Sequence, residues 1–106
     1  MPIYIIKIQS PKSGVDYFME WSTISDSLYS VPMLIDDFKT YYLKKYQDQN
    51  EDILSDRLDR VDNFGISAKP EVGIDLEYLF ENNKMRSGGT RLPIKHLMKR
   101  IFSQME

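Results

Sequence analysis

The chain has no cysteine, so disulfide bonds and thiolate metal ligands play no part in its stability or chemistry; this fits a reducing compartment. It has a single histidine, His96, too little for a nitrogen-based metal centre and without a serine or carboxylate spaced to make a triad with it. No apolar run approaches the roughly 18 residues of a membrane-spanning helix. The opening residues, MPIYIIKIQ, lack the basic flank and long apolar core of an export signal. No internal repeat or low-complexity tract is present. The formal net charge of −2 gives no global attraction to nucleic acid.

What is present points to a folded domain. The 106 residues are 42% hydrophobic and include seven Tyr, five Phe and one Trp, which is enough apolar material for one core. In IYIIKIQ (3–9) Tyr4, Ile6 and Ile8 alternate with Ile3, Ile5 and Lys7, the period of a strand. Pro11 and Gly14 supply a turn. YFMEWS (17–22) then resumes the alternation, with Tyr17, Met19 and Trp21 on one face, so the two segments should form an antiparallel hairpin over residues 3–22. A hairpin alone is marginal, and helices should cover a face of it.

Three to four helices are expected. Leu34, Phe38, Tyr41 and Tyr42 recur at helical spacing and predict a helix over about 33–47, with Ser30 and Pro32 as start signals after a polar loop at 22–30. Leu54, Leu58 and Val61 predict a second over 50–63, capped by Asn50 and stopped by Gly65, with Asp56 and Arg60 one turn apart in the favourable order. A shorter helix is expected near 74–82, and Ile94, Leu97, Met98, Ile101 and Phe102 mark the last over 93–104. The order predicts one α+β domain spanning 1–106, an N-terminal antiparallel β-hairpin packed against three to four short helices.

Several stretches invite a chemical reading. DQNEDILSDRLD (48–59) spaces oxygens like a calcium loop, but Ile53 stands where the sharp turn needs glycine, Asp59 where the bidentate Glu belongs, and the helical stripe runs through it. It reads as the solvated start of a helix, and no metal is expected. RSGGT (86–90) precedes a helix yet lacks the phosphate-loop pattern and reads as a turn. Charge is lopsided: residues 1–83 hold eight Lys or Arg against fifteen Asp or Glu, whereas 84–106 hold six against Glu106 alone. The basic end, with Arg86, Arg91, Lys95, Lys99 and Arg100, could meet nucleic-acid phosphates, an acidic partner, or the chain's own acidic segment 48–62. Around the hydroxyl run after the tryptophan, Trp21, Ser22, Thr23 and Asp26, with Arg57 and Arg60, form a candidate ligand pocket whose bland alternative is a structural turn.

MEWSTISDS (19–27), DDFKTYYLKKY (36–46), DRLDRV (56–61) and the following Gly65 together resemble a group of small accessory proteins from tailed bacteriophages. Its members carry a hairpin ending in Glu-Trp-Ser-Thr, a helix with Glu-Phe and paired tyrosines, and an Arg-Leu-x-Arg-Val helix. The resemblance covers residues 3 to about 83. It implies a phage or prophage origin and a host bacterial cytoplasm, and it carries no catalytic residue over. Leu34 departs from the group, which has a capping Ser or Thr there, and so does the basic end from Lys84.

No constellation here supplies a nucleophile, a tuned acid or base, or a cofactor site, so catalysis is not expected. The leading expectation is a binding protein, anti-CRISPR-like in style, that inhibits a host bacterial enzyme or defence complex through an acidic surface at Asp48, Glu51, Asp52, Asp56 and Asp59 resembling nucleic-acid phosphates. The alternatives are a small-ligand protein sequestering a nucleotide signal, and a nucleic-acid binder acting through the basic end. No membrane association is expected.

Overall fold

The computed structural model describes residues 3–84 and 91–103; Arg86 and the RSGGT stretch lie outside the described residues. Strands β1 (Ile3–Gln9) and β2 (Asp16–Ser22) pair antiparallel over their full length, Ile3 opposite Ser22 and Gln9 opposite Asp16. The expected polar loop at 22–30 contains a third, two-residue strand, β3 (Ser27–Leu28), which pairs with Ser22 and Trp21. Its approach was hidden because the reversal is made by side chains: Ser22 Oγ accepts from the amides of Ile24 and Ser25, and Asp26 takes a left-handed φ of 53°.

Both faces of the sheet are covered, not one. Ile6, Ile8, Tyr17, Met19 and Trp21 face Leu79, Leu97, Ile101 and Phe102, whereas Ile5 and Phe18 face Phe38, Tyr42, Leu54, Leu58 and Val61. The first core therefore receives helices α3 (Leu76–Glu81) and α4 (Ile94–Phe102), and the second receives α1 (Ile35–Lys45) and α2 (Glu51–Phe64). All four helices end within two residues of the expected ranges, and a 3₁₀ turn at Pro70–Val72 precedes α3. Trp21 is fully buried and stands edge-on to Phe80, ring centroids 6.0 Å apart; its indole N–H has no acceptor among the described residues.

Local signals account for most helix ends. Asn50 Oδ1 accepts from the Ile53 amide and Asp75 Oδ1 from the Tyr78 amide, two side-chain N-caps. Helix α1 differs: it starts from Leu34, which has no capping side chain, and Ser30 is used elsewhere, its Oγ accepting from the Glu20 amide. Asp36 and Asp37 in the first turn and Lys44 and Lys45 in the last suit the helix dipole instead. Asn83, fully buried, clamps the chain on either side of residues 85–90 by exchanging two hydrogen bonds with the Leu92 backbone, at 2.8 and 3.0 Å.

Gly65 ends α2 with φ 78° and turns the chain back along β1, where Ile66 bridges Ile6 and Ser67 bonds Ile5. A Cβ at Gly65 would lie 2.7 Å from Leu76 Cδ1, whereas one at Gly73, also at φ 78°, would meet nothing within 4 Å. Both Gly→Ala changes incur the left-handed penalty of about 1–2 kcal/mol. Gly65→Ala must also displace Leu76, so its chemical denaturation midpoint is expected to fall clearly below that of Gly73→Ala; equal midpoints would show that Leu76 yields freely.

Candidate functional site

Strand alternation sends Phe18 and Glu20 to the same face, and Glu20 consequently enters the α1 side of the sheet with no exposure at all. A lone buried carboxylate costs several kcal/mol, so it needs partners. Helix α1 and its C-cap residue provide them: Tyr41 donates to Oε1, the capping Tyr46 donates to Oε2 at 2.6 Å, and Lys45 Nζ lies 3.3 Å from Oε1. The ammonium of Lys45 also sits 4.1 Å from the ring centroid of Tyr29, with Tyr41 and Tyr46 at 5.2 and 5.4 Å, an aromatic cage filled by the chain's own cation. Burial, then the hydrogen bond to Glu20 and its charge, raise the pKa of both Tyr41 and Tyr46 well above the ordinary tyrosine value. The centre pins the end of α1 to β2. Sequence reasoning missed it, although an acid at an inward strand position with Tyr and Lys four residues apart on the next helix was the available signal.

A second polar centre lies on the other edge, between β1 and α2. Arg57 donates through Nη1 to the Tyr42 hydroxyl at 2.6 Å and through Nη2 to the Ile3 carbonyl and Ser67 Oγ at 2.9 and 3.2 Å. Arg60 donates through Nε to the Ser67 carbonyl at 2.7 Å, so it turns away from Asp56 and the expected pair with that residue does not form. Both guanidinium groups line a cleft of about 320 Å³ with Tyr4, Ile53, Lys69 and Val72.

The expected pocket of Trp21, Ser22, Thr23, Asp26, Arg57 and Arg60 is not gathered as one site. Trp21 is buried in the core under α3 and α4, Ser22 and Asp26 shape the β2–β3 turn, and the arginines line their own cleft on the α2 side. Asp26 is tied further to Lys84, at 3.5 Å between the charged groups and 2.6 Å from the Lys84 amide to the Asp26 carbonyl.

The acidic residues Asp48, Glu51, Asp52, Asp56 and Asp59 are all exposed. Asp52, Asp56 and Asp59, at i, i+4 and i+7, form a row on the side of α2 away from its buried stripe, and none of the five has an ion-pair partner among the described residues. The basic residues Arg91, Lys95, Lys99 and Arg100 are exposed on and before α4. Because α2 and α4 cover opposite faces of the sheet, the basic helix does not neutralise the acidic one. Lys12, from the β1–β2 turn, joins Lys95 and Lys99 around a groove of about 820 Å³ that also contains His96 and is floored by Met98 and Phe102. Among the described residues no three His, Asp or Glu side chains converge to hold a metal ion, and no helix is long and apolar enough to cross a membrane. No protein-family model matches the chain, and neither a curated protein nor a solved structure matches it.

The Glu20 centre makes stability depend on alkaline pH. With folded pKa values raised, the unfolded chain loses the Tyr41 and Tyr46 protons first; their contribution is complete below about pH 10 and declines as pH rises beyond it. Tyr46→Phe is expected to lower stability by about 1–3 kcal/mol at neutral pH, because Glu20 Oε2 loses its donor. Tyr41→Phe/Tyr46→Phe should also flatten the alkaline fall in the unfolding midpoint. An unchanged alkaline slope would show that these hydroxyls titrate normally.

Proposed function

We propose that this chain is a non-enzymatic binding protein that occupies a basic groove on a larger bacterial protein, such as a host enzyme or nucleic-acid-handling defence complex, and blocks it. The observation that carries the reading is the row Asp52, Asp56 and Asp59 exposed on α2, flanked by Asp48 and Glu51, with no ion-pair partner among the described residues. Successive acids along the row are separated by about 6 and about 4.5 Å of helix rise, a ladder of negative charge on a rigid rod. Complementary charge of this kind speeds encounter with a basic groove and selects against acidic surfaces.

The arrangement of the molecule supports a contact on that side. The acidic row lies on the solvent side of a helix whose inner stripe, Leu54, Leu58 and Val61, is anchored in the core, so the charges are presented by a scaffold that need not rearrange. The resemblance to phage accessory proteins is in keeping with a target in a bacterial host.

The test is charge reversal. A tagged protein expressed in a bacterium with active defence systems should retain a stoichiometric protein partner and inhibit its activity. Asp52→Lys/Asp56→Lys should weaken that binding at least about tenfold in a protein that stays folded, its melting temperature falling only by the small cost of placing a cation in the first turn of α2, since like charges at a desolvated contact oppose association strongly. Inhibition that survives the reversal removes the acidic row from the contact.

A further inference from the structure

We infer that the cleft between β1, α2 and the Ser67–Val72 segment is a binding site for a small phosphate-bearing ligand, held by Arg57, Arg60 and Lys69. This goes beyond the acidic-face reading and uses none of its residues. The cleft has three cations in its lining and no carboxylate, although α2 itself carries five acids. Asp56 stands one turn before Arg60 at a spacing suited to an ion pair, yet the guanidinium is drawn the other way by the Ser67 carbonyl. Neither arginine nor Lys69 has an ion-pair partner among the described residues.

The donors are aimed as well as charged. Arg57 is half-buried and held through Nη1 and Nη2 by three neutral acceptors, which fix its plane without cancelling its charge. Its anchor Tyr42 is itself held, donating to Gln49 Oε1 at 2.5 Å, and the guanidinium carbon lies 5.7 Å from that ring's centroid. Arg60 is bonded only through Nε, so its two terminal nitrogens keep their donors for another acceptor. Two partly buried guanidinium groups with uncommitted donors match the oxygens of a phosphate better than a single point charge would.

The rest of the lining sets the ligand's character. Tyr4, Ile53 and Val72 give the cleft an apolar wall, and its volume of about 320 Å³ falls at the lower end of the range for small-molecule sites. The fit is to a compact phosphate monoester with an apolar or planar body, whose phosphate meets the arginines while its body lies against Tyr4.

Nuclear magnetic resonance on the ¹⁵N-labelled full chain tests this, with adenosine 5′-monophosphate, inorganic phosphate and adenosine as probes at constant ionic strength. The expected result is saturable movement of the Arg60 Nε–H, Ser67 and Lys69 signals with the monophosphate, weaker movement of the same signals with phosphate, and none with adenosine. Lys69→Gln should weaken monophosphate binding about tenfold, the loss of one charge-assisted contact. The Lys69 side chain has no bond within the described protein, so this variant leaves the fold intact, and Arg60→Gln should act in the same direction. Adenosine binding as well as its monophosphate, shifts equally large at Lys95 and Lys99, or an affinity unchanged in Lys69→Gln would each overturn the assignment.

Discussion

Everything in the molecule is placed by the seven-residue pairing of β1 with β2. A strand pair with one apolar face would have set a single core and left its reverse to water. Here Ile5 and Phe18 are buried as well as Ile6 and Met19, so the ribbon is the middle layer and the helices must divide between its faces. That division separates acidic α2 from basic α4 and leaves each charged surface to solvent. A slip of one residue in the register would exchange the two sets of side chains and destroy both cores at once.

Much of this architecture was legible because its signals are local and periodic. The strand alternation, the α2 stripe, the Asn50 cap and the Gly65 stop are written within a few neighbouring residues, and each has a direct structural counterpart. What escaped reading depends on distant partners. β3 is only two residues long and exists because Trp21 and Ser22 offer an edge, and Ser30, expected as a start signal for α1, instead accepts from the Glu20 amide ten residues away. The candidate pocket failed as a unit for a similar reason: Trp21 and Ser22 are adjacent in sequence, but the pleat sends the indole under α3 and α4, away from the arginines of α2.

The polar interior follows the same geometry. Glu20 and Arg57 are opposite charges on the same side of the sheet, yet they do not meet. Each is satisfied by its own tyrosines, Tyr41 and Tyr46 for the acid and Tyr42 for the arginine. Two tyrosines of α1 and the tyrosine that caps its end thus hold the acid and the base in separate centres. The price is two demanding polar centres, and the return is a carboxylate locked as a structural tie while the guanidinium keeps donors for an outside acceptor.

The two rims of the β1–β2 hairpin carry a further consequence. The free side of β1 is taken by Ile66 and Ser67 and that of β2 by β3 and Met33, contacts that reach across as many as 62 positions of the chain. During synthesis the hairpin emerges ahead of the helices, with Trp21, Met19 and Ile6 uncovered until α4 has followed and the β1 rim unpaired until Ile66 and Ser67, beyond α2, have followed. Such a ribbon is prone to stick to its own kind. The nascent chain is therefore most vulnerable before α4 has been made, and chaperone demand should be concentrated in that interval.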